Sequence, residues 1–171
     1  QVDRLEELFR AYQDFLHPER NPPAPFPVRP VVERAIALQQ FRLRKLGQRF
    51  AFQAAEQLPN GFGIPNAVLH AVLNVLVNAL DALEGQTGRL ALRVFAANGS
   101  GVQIRVSDEG PGIPRDLHDK IFEARFTTKT TGTGLGLAIA RRMMGAFGGR
   151  VELAQDKDPL RLGWAKTEFV L

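Results

Sequence analysis

Apolar residues recur at the spacing of an α-helix in some parts of the chain and alternate with polar residues in others. The helical spacing predicts helices over residues 2–16, 31–46, 65–84 and 135–147, with a further short helix over 114–122. The alternation predicts strands over residues 49–55, 89–97, 101–107, 150–154 and about 162–171. Turn residues separate the second strand from the third, and the last two strands are also expected to pair as a hairpin. The expected fold is α+β: a two-layer α/β sandwich with a mixed, mostly antiparallel sheet and helices on one face.

Five prolines lie between residues 21 and 30 and separate the first helical stretch from the rest of the chain. Proline fixes its own φ angle and lacks a backbone N–H, so this segment is predicted to be an extended linker rather than a helix. The apolar seam of residues 2–16 is narrow, as in a coiled coil or bundle, although it also suits a helix that packs on its own domain. The expected division of the chain is 1–20, 21–30 and 31–171.

The helix that contains residues 70–81 carries a line of polar side chains. Asn74, Asn78 and Asp81 stand at i, i+4 and i+7, so they point in the same direction. Asparagine is a poor helix former, which makes its repeated use here informative. Magnesium takes oxygen ligands and few of them from the protein, so a Mg²⁺ ion that bridges nucleotide phosphates is one explanation. A core helix with a few solvated polar residues is the other.

Two glycine-rich segments have the chemistry of ligand-binding loops. Asp108 ends a predicted strand and can accept a hydrogen bond from an exocyclic amine such as that of adenine. Gly110 and Gly112 after it let the backbone approach a flat ligand, although this segment alone is also typical of a surface turn. Gly134 and Gly136 lie where a predicted helix begins, and the N–H groups of such a helix favour phosphates. Neither segment matches a dinucleotide fingerprint or a phosphate loop.

Between the glycine segments, residues 121–129 read I-F-E-A-R-F-T-T-K. Phe122 and Phe126 are predicted to be hydrophobic anchors, while Lys129 can reach a phosphate. A segment that is fixed at both ends above a nucleotide is what a lid requires. An ordinary surface connection with two buried phenylalanines is the alternative.

The composition is ordinary for a globular protein: 171 residues, 44% hydrophobic and 23% charged, with no cysteine. The lack of cysteine excludes disulfides, zinc–thiolate sites and cysteine nucleophiles, and it agrees with a cytoplasmic location. The net charge of +4 comes from scattered lysines and arginines, so we expect no nucleic-acid binding. No apolar run is long enough to span a membrane and no signal peptide is present, so we expect no membrane contact by this piece. The chain starts with Gln1 within a helical pattern, so we expect a fragment.

In this order and spacing, the segments resemble the ATP-binding domain of sensor histidine kinases, a branch of the GHKL superfamily that also contains DNA gyrase, Hsp90 and the MutL repair proteins. The resemblance covers residues 31–171 and implies the Bergerat fold of that superfamily. The asparagine box, first glycine box, phenylalanine box and second glycine box of the family are similar to residues 70–81, 108–114, 121–129 and 132–137.

The resemblance to nitrogen-regulator-like kinases also accounts for the start of the chain. In that group a dimerisation hairpin ends in a helix and a proline-rich link, which residues 1–20 and 21–30 resemble. The phosphoacceptor of the family lies on the first hairpin helix, and His17, His70 and His118 do not match it. The implied partners are therefore the missing hairpin, a second copy of the full-length protein and a response regulator receiver domain. The implied location is cytoplasmic, within a parent protein that can be membrane-anchored.

The family motifs imply ATP and Mg²⁺ as ligands. Asn78 would coordinate Mg²⁺ with help from Asn74, and both would act with Lys129 in catalysis. Asp108 would bind the adenine amine, and Thr167 would support the adenine pocket. The full set of nucleotide contacts carried over from the motifs is Asp108, Gly110, Gly112, Ile113, Thr128, Lys129, Gly132, Thr133, Gly134, Leu135, Gly136, Leu137 and Thr167.

Hydrolysing members of the superfamily place a glutamate four residues before the magnesium asparagine, where it activates water. Asn74 holds that position here and cannot take a proton, so the γ-phosphate is expected to go to a histidine instead. A degenerate, non-catalytic module that binds nucleotides or partners is the alternative, and a serine kinase of the anti-sigma type is a third. The lid is short and departs from the family pattern at Ala124 and Arg125.

Overall fold

The structure is a computed structural model that describes residues 22–97, 101–128 and 133–171. The helix predicted over residues 2–16 and the turn at 98–100 lie outside the described residues. In the described part, one five-stranded sheet has the order β2-β4-β5-β7-β6, and β1 pairs with β3 in a separate ribbon. The strands are β1 (Ala24–Phe26), β2 (Phe50–Ala54), β3 (Gly61–Gly63), β4 (Leu90–Ala96), β5 (Val102–Asp108), β6 (Glu152–Leu153) and β7 (Thr167–Val170).

The main sheet is mixed but mostly antiparallel. Strand β2 runs parallel to β4, whereas β4–β5, β5–β7 and β6–β7 are antiparallel pairs. The two predicted hairpins are both present, and in the first of them Leu92 lies opposite Val106. The predicted α+β sandwich is therefore confirmed.

The helices are α1 (Val28–Leu38), α2 (Gln40–Leu46), α3 (Pro65–Ala82) and α4 (Gly136–Gly145). Helix α3 packs against α1, α4 and strand β5. Leu92 and Val106 have no exposed surface and form one core with Leu76 of α3, because alternate strand residues face the helices. No helix in the described ranges is long and apolar enough to cross a membrane.

The single helix predicted over residues 31–46 is wrong, because the structure breaks it at Gln39. This residue has φ −107° and ψ 9°, and it separates the end of α1 from the start of α2. Glutamine is a good helix former, so nothing in the local pattern marks the break. The helix predicted over 114–122 is likewise two short 3₁₀ helices, Arg115–Leu117 and Lys120–Phe122.

The extended segment predicted over residues 21–30 is wrong at its end. Helix α1 already begins at Val28 and includes Pro30 in its first turn, where a missing N–H leaves no intrahelical hydrogen bond unmade. Ahead of it, β1 pairs with β3 and places Pro25 opposite Phe62. Hydrogen bonds therefore join the chain to the rest of the domain from Ala24 onward.

The face of the sheet opposite the helices carries a buried network of charges. Glu168 is 1% exposed and accepts hydrogen bonds from Ser107 at 2.6 Å, from Arg93 at 3.2 Å and from Arg105. Arg105 also pairs with Asp158, in the loop before β7, at 2.7 Å. Because every member has a charged or polar partner, the network can remain buried and fix β7 against β5.

We predict that Glu168→Ala lowers the free energy of unfolding by about 3–5 kcal/mol, because it removes the buried carboxylate that the buried Arg105 and the half-buried Arg93 share. Urea unfolding followed by circular dichroism measures this change. Glu152→Ala on the edge strand β6, whose side chain is 52% exposed, is the matched control. We expect it to change stability by less than about 0.5 kcal/mol. Equal effects of the two substitutions would contradict the assignment.

Candidate active site

Helix α3 is surrounded by protein on almost every side. From residue 67 to residue 80, every residue except Asn78 is buried. The helix begins at Pro65 as predicted, and the carbonyl oxygen of Ile64 accepts hydrogen bonds from the first turn. Polar groups on such a helix need a protein partner or an opening to solvent. The half-buried Asn78 is the exception on this helix, so the polar line reaches an opening there.

Asn74 is 7% exposed and is held from two sides. Its Nδ2 atom lies 3.3 Å from Nε2 of His70, one turn earlier on the same helix. On the other side, a Cβ atom on Gly136 would lie 2.7 Å from Asn74 Oδ1, so a glycine is needed where α4 begins. The predicted asparagine box and second glycine box are therefore in direct contact.

Asp81, the last member of the polar line, pairs with a cation from another helix. Its Oδ1 atom lies 2.7 Å from Nη2 of Arg42 on α2. The two side chains are 28% and 33% exposed, so the pair lies at the surface rather than in the core. The negative charge that Asp81 adds beside Asn78 is thus balanced by Arg42.

Asp108 is a buried carboxylate at the end of β5. The side chain is 2% exposed, and its Oδ1 atom accepts a hydrogen bond from the N–H of Gly110 at 3.0 Å. Burial raises the pKa of the Asp108 carboxyl to about 6, although the Gly110 hydrogen bond acts in the opposite direction. A carboxylate that is poorly solvated in this way gains most from a ligand that donates hydrogen bonds to it.

The next residue, Glu109, shows the opposite behaviour. Arg89 donates two hydrogen bonds to its carboxylate, at 2.8 and 3.0 Å, and lowers the pKa of Glu109 to about 2. The ring of Trp164 lies 4.7 Å from the guanidinium carbon of Arg89 on this exposed side. Of two neighbouring acids, one is therefore paired at the surface and the other, Asp108, faces the interior.

Thr167 lies directly opposite Asp108 in the β5–β7 pair. It is 6% exposed, and register partners project their side chains from the same face of a sheet. That face is the one covered by helices, since Phe169, two residues along β7, belongs to the core. The two residues predicted from the family motifs to form the adenine pocket are adjacent in the structure.

The glycines of the first glycine box serve different purposes. A Cβ atom on Gly110 would lie 2.8 Å from Asp108 Oδ1 and 3.0 Å from Cβ of Ala82, so Gly110 allows close packing against the end of α3. Gly112 has a φ of +81°, a conformation that favours glycine. Ile113 follows and is partly buried against the core. The chain therefore turns tightly beside Asp108.

The phenylalanine box and the second glycine box are joined through their backbones. The N–H of Arg125 donates to the carbonyl oxygen of Gly134 at 2.9 Å. Both residues have positive φ angles, +70° for Arg125 and +66° for Gly134. A Cβ atom on Gly134 would lie 2.4 Å from the carbonyl carbon of Arg125, so glycine is required there. Positive φ disfavours residues with a Cβ by about 1–2 kcal/mol, and such strain is concentrated at functional sites.

Phe122 anchors the first end of this segment, as predicted. Its ring packs edge to face against Phe169, with a centroid distance of 6.3 Å. The guanidinium carbon of Arg141, on α4, lies 4.6 Å from the centre of the same ring. Phe126, the second predicted anchor, is half-buried. The start of the segment is therefore fixed to both the sheet and α4.

Two of the predicted phosphate contacts, Lys129 and Gly132, lie outside the described residues. Thr128 and Thr133 stand on either side of that gap, and both are exposed. Thr133 lies three residues before α4 begins, at the end of the helix where the sequence predicts phosphate contacts.

Helix α4 begins directly after this segment. Leu135 precedes it and is 38% exposed, whereas Leu137 packs partly buried against the core. No side-chain hydrogen bond caps the first turn of α4 in the described part of the chain, and no acidic residue lies in that turn. Uncapped N–H groups at a helix start suit an anion.

The donor atoms around Asn78 suit Mg²⁺ bound together with a nucleotide. Among the described residues, no group of three or more histidine, aspartate or glutamate side chains could hold a metal by itself. Mg²⁺ commonly uses one or two protein oxygens and takes the rest from phosphates and water. The amide oxygen of the half-buried Asn78 is a donor of this kind.

Two contacts and one backbone conformation of this region were not predicted from the sequence. The contact between His70 and Asn74 follows the i, i+4 rule of helices and was detectable in principle. The ion pair between Arg42 and Asp81 could not be predicted, because the two residues are far apart in the sequence. The positive φ of Arg125 had no local signal either, since arginine rarely adopts it.

Comparison with known proteins identifies the family. Residues 63–170 match the family model described as histidine kinase-, DNA gyrase B-, and HSP90-like ATPase. The chain belongs to this family. The resemblance stated from the four sequence boxes is therefore confirmed.

Within this family, the relatives and the structure that match the chain are histidine kinases. The chain is 30% identical over 159 residues to the sensor histidine kinase ZraS of Escherichia coli (strain K12). This match covers 92% of the chain and 33% of ZraS. It is 32% identical over 161 residues to the sensory histidine kinase/phosphatase NtrB of Salmonella typhimurium, covering 89% of this chain and 45% of NtrB. The chain thus spans less than half the length of these relatives. The catalytic domain of the histidine kinase ThkA superposes with a TM-score of 0.71 at 25% identity, over 86% of this chain and 92% of that one.

We predict that Asp108→Asn stabilises the empty domain at high pH. The folded carboxyl has a pKa raised to about 6, so its stabilising contribution is complete below about pH 4 and is lost as the pH rises through 6. The variant does not titrate, so its stability relative to the natural protein should rise by about 3 kcal/mol between pH 4 and pH 8. Urea unfolding across this pH range measures the difference. Asp116→Asn, at an exposed carboxylate, is the control, and a flat difference for both variants would contradict the prediction.

We predict that Gly136→Ala destabilises the domain by about 1–3 kcal/mol, because the new methyl group would displace the buried Asn74 side chain. Gly145→Ala, at the other end of α4, is the matched control, since a Cβ atom there meets nothing within 4 Å. We expect this control to be neutral or to stabilise by about 0.5–1 kcal/mol. Thermal and urea unfolding compare the two, and equal effects would show that Gly136 is not needed for close packing.

Proposed function

We propose that the chain is the ATP-binding catalytic domain of a two-component sensor histidine kinase. In this proposal the domain binds ATP with Mg²⁺. An imidazole nitrogen of a dimerisation hairpin attacks the γ-phosphorus, the bond to the bridging oxygen breaks, and ADP leaves. A response regulator aspartate then receives the phosphoryl group. The observation that carries the proposal is the buried carboxylate of Asp108, next to Thr167 and above the tight turn at Gly110.

The pocket around Asp108 has the features that recognition of adenine requires. An exocyclic amine donates hydrogen bonds, and Asp108 is a poorly solvated acceptor whose pKa is raised by burial. Thr167 offers a hydroxyl on the same face of the sheet. Gly110 allows close packing beside Asp108 and Ala82, and the positive φ of Gly112 allows the tight turn that follows. These observations support adenine as the base that is bound.

The opposite end of the cleft has the features of a phosphate site. Asn78 would supply an oxygen to Mg²⁺, which neutralises phosphate charge and orients the terminal phosphoryl group. The first N–H groups of α4, beyond Gly134 and Gly136, would hold phosphate oxygens. Lys129 would add a positive charge from the segment between the boxes. Catalysis in this arrangement rests on positioning and electrostatics rather than on covalent participation of the domain.

The surroundings of Asn74 support a kinase rather than an ATPase. An amide cannot accept a proton from water at neutral pH, so it cannot act as a general base. Its Nδ2 lies 3.3 Å from Nε2 of His70 and its Oδ1 lies against Gly136, so the side chain that replaces the glutamate of the hydrolysing members supplies no base itself. Slow hydrolysis preserves the γ-phosphate for a stronger nucleophile.

The alternative function is a degenerate, non-catalytic module of the same fold that binds nucleotides or partners. The buried Asp108–Thr167 pair favours the kinase over a module that binds only partners, because such a module has no need of a nucleotide site. A module that binds nucleotides without transferring phosphate is separated from the kinase by the transfer experiment below.

The rest of the parent protein is proposed from its relatives and from the chain's own pattern. Residues 1–20 would be the end of the second hairpin helix and 31–171 the catalytic domain. The link between them would lie within 21–30, whose later part is already joined to the domain from Ala24 onward. The full-length protein would be a homodimer with its catalytic domains in the cytoplasm. Its partners would be its own hairpin and a response regulator receiver domain.

Calorimetry provides the first test. We expect the chain to bind ATP when Mg²⁺ is present. We expect Asp108→Asn to weaken this binding about tenfold to a hundredfold, because a hydrogen bond to a charged group contributes about 1.5–3 kcal/mol. The substitution that stabilises the empty domain should therefore impair ligand binding. Failure of the folded natural protein to bind ATP would refute the proposal.

The second part of the test separates the kinase from the non-catalytic module. The chain is mixed with the hairpin of the full-length protein and with ATP labelled at the γ-phosphate. Transfer predicts labelled phosphate on the hairpin that is labile to acid and stable to base, together with slow release of free phosphate. Binding of ATP without transfer would favour the module, and rapid phosphate release would contradict the interpretation of Asn74.

A further inference from the structure

The ion pair between Arg42 and Asp81 joins two helices at the edge of the candidate active site. Nη2 of Arg42 and Oδ1 of Asp81 are 2.7 Å apart, and both side chains are partly exposed. Ion pairs at this exposure contribute little to stability. Stability of the fold therefore does not account for the pair, and its position relative to Asn78 is more informative.

Asp81 lies three residues after Asn78, on the same side of α3. A rise of 1.5 Å per residue places their Cα atoms about one turn apart along the helix axis. The guanidinium group, which touches Asp81, is therefore a close neighbour of the amide proposed to bind Mg²⁺ with the nucleotide. The guanidinium group therefore lies near Asn78 and Asp81, the end of the polar line that is open to solvent.

The location of Arg42 is fixed by the break in the first helical region. Helix α2 begins after Gln39, and Leu43, the residue next to Arg42, is 4% exposed in the core. A buried neighbour on a short helix leaves Arg42 little freedom at its Cα atom. Asp81 then holds the far end of the side chain.

A carboxylate beside a triphosphate would repel it, so Asp81 is not expected at this place without a cation. A guanidinium group has five N–H donors in a planar fork, and a carboxylate facing one edge of the fork takes two of them at most, so other donors are directed elsewhere. Such a fork binds phosphate oxygens well. Arg42 can therefore neutralise Asp81 and contact phosphate at the same time.

We infer that Arg42 is a ligand of the phosphate chain of the bound nucleotide, held in position by Asp81. This inference rests on the proposed function and adds a phosphate contact from α2, outside the four sequence boxes. Asp81 is a positioning residue in this arrangement, because it acts through Arg42 and carries the same charge as the ligand.

Binding measurements on three variants test the assignment. Arg42→Gln removes the proposed contact, and Asp81→Asn removes the acid that holds it. Arg44→Gln is the matched control, since Arg44 lies two residues along the same helix and pairs with Gln40 on the exposed side at 3.4 Å. For each protein, calorimetry or competition against a fluorescent adenine nucleotide measures affinity for ATP with Mg²⁺ and for adenosine. Thermal unfolding without ligand confirms that each variant is folded.

We expect Arg42→Gln to weaken ATP binding at least about tenfold, and to change adenosine binding by less than about threefold, because only ATP carries phosphates. Arg44→Gln should leave both affinities unchanged. Asp81→Asn should weaken ATP binding less than Arg42→Gln does, because Arg42 loses the group that holds it while a negative charge beside the phosphates is also removed.

Three results would overturn the assignment. Equal ATP affinities for the Arg42 and Arg44 variants would exclude the contact. Equal losses in the Arg42 and Asp81 variants, or a parallel loss of adenosine binding, would show that the pair only supports the fold. If the natural protein binds neither ATP nor adenosine, the proposed function fails, and the role of Arg42 fails with it.

Discussion

The near-complete burial of helix α3 is the constraint to which the rest of the structure responds. A helix covered by the sheet, α1 and α4 cannot present polar side chains at random, because each buried polar group without a partner destabilises the fold. Asn74 is accordingly held by His70 and lies against Gly136, whereas Asn78 and Asp81, further along the polar line, are partly open to solvent. The same contact with Gly136 fixes the start of α4. One set of packing requirements thus determines both where the cleft opens and which polar groups line it.

The two faces of the sheet treat buried acids in contrasting ways. On the outer face, Glu168 is surrounded by Arg93, Arg105 and Ser107, so its charge is balanced within the protein. On the face towards the helices, Asp108 accepts a hydrogen bond from Gly110, and burial keeps its pKa raised. The first arrangement stabilises the domain, whereas the second lowers the stability of the empty domain at neutral pH, as is expected of an acid that serves the proposed nucleotide site. Neighbouring strands therefore carry a paired acid on one face of the sheet and a poorly solvated acid on the other.

Most of the secondary structure could be predicted because it follows from local periodicity. The alternation in β4 and β5 and the apolar face of α3 predicted that Asp108 ends a strand and that the asparagine line lies on a helix. The long-range pairing of β5 with β7, which brings Thr167 beside Asp108, does not follow from local periodicity, and only the family resemblance put these two residues together. The break at Gln39 and the early start of α1 at Val28 could not be predicted, because tertiary packing decides them against the local preference of the sequence. Arg42 lies on the helix that begins after that break, and its pairing with Asp81 could not be predicted either, because it also depends on tertiary packing.

The hydrogen bond from the N–H of Arg125 to the carbonyl oxygen of Gly134 closes a loop between these two residues. Loop-closure entropy grows by only about 0.6 kcal/mol for each doubling of loop length. Residues can therefore be inserted into such a loop, or deleted from it, while the closing point and the helix that follows remain in place. The length of the chain between Arg125 and Gly134 can therefore change independently of the hydrogen bond that joins these residues and of the start of α4.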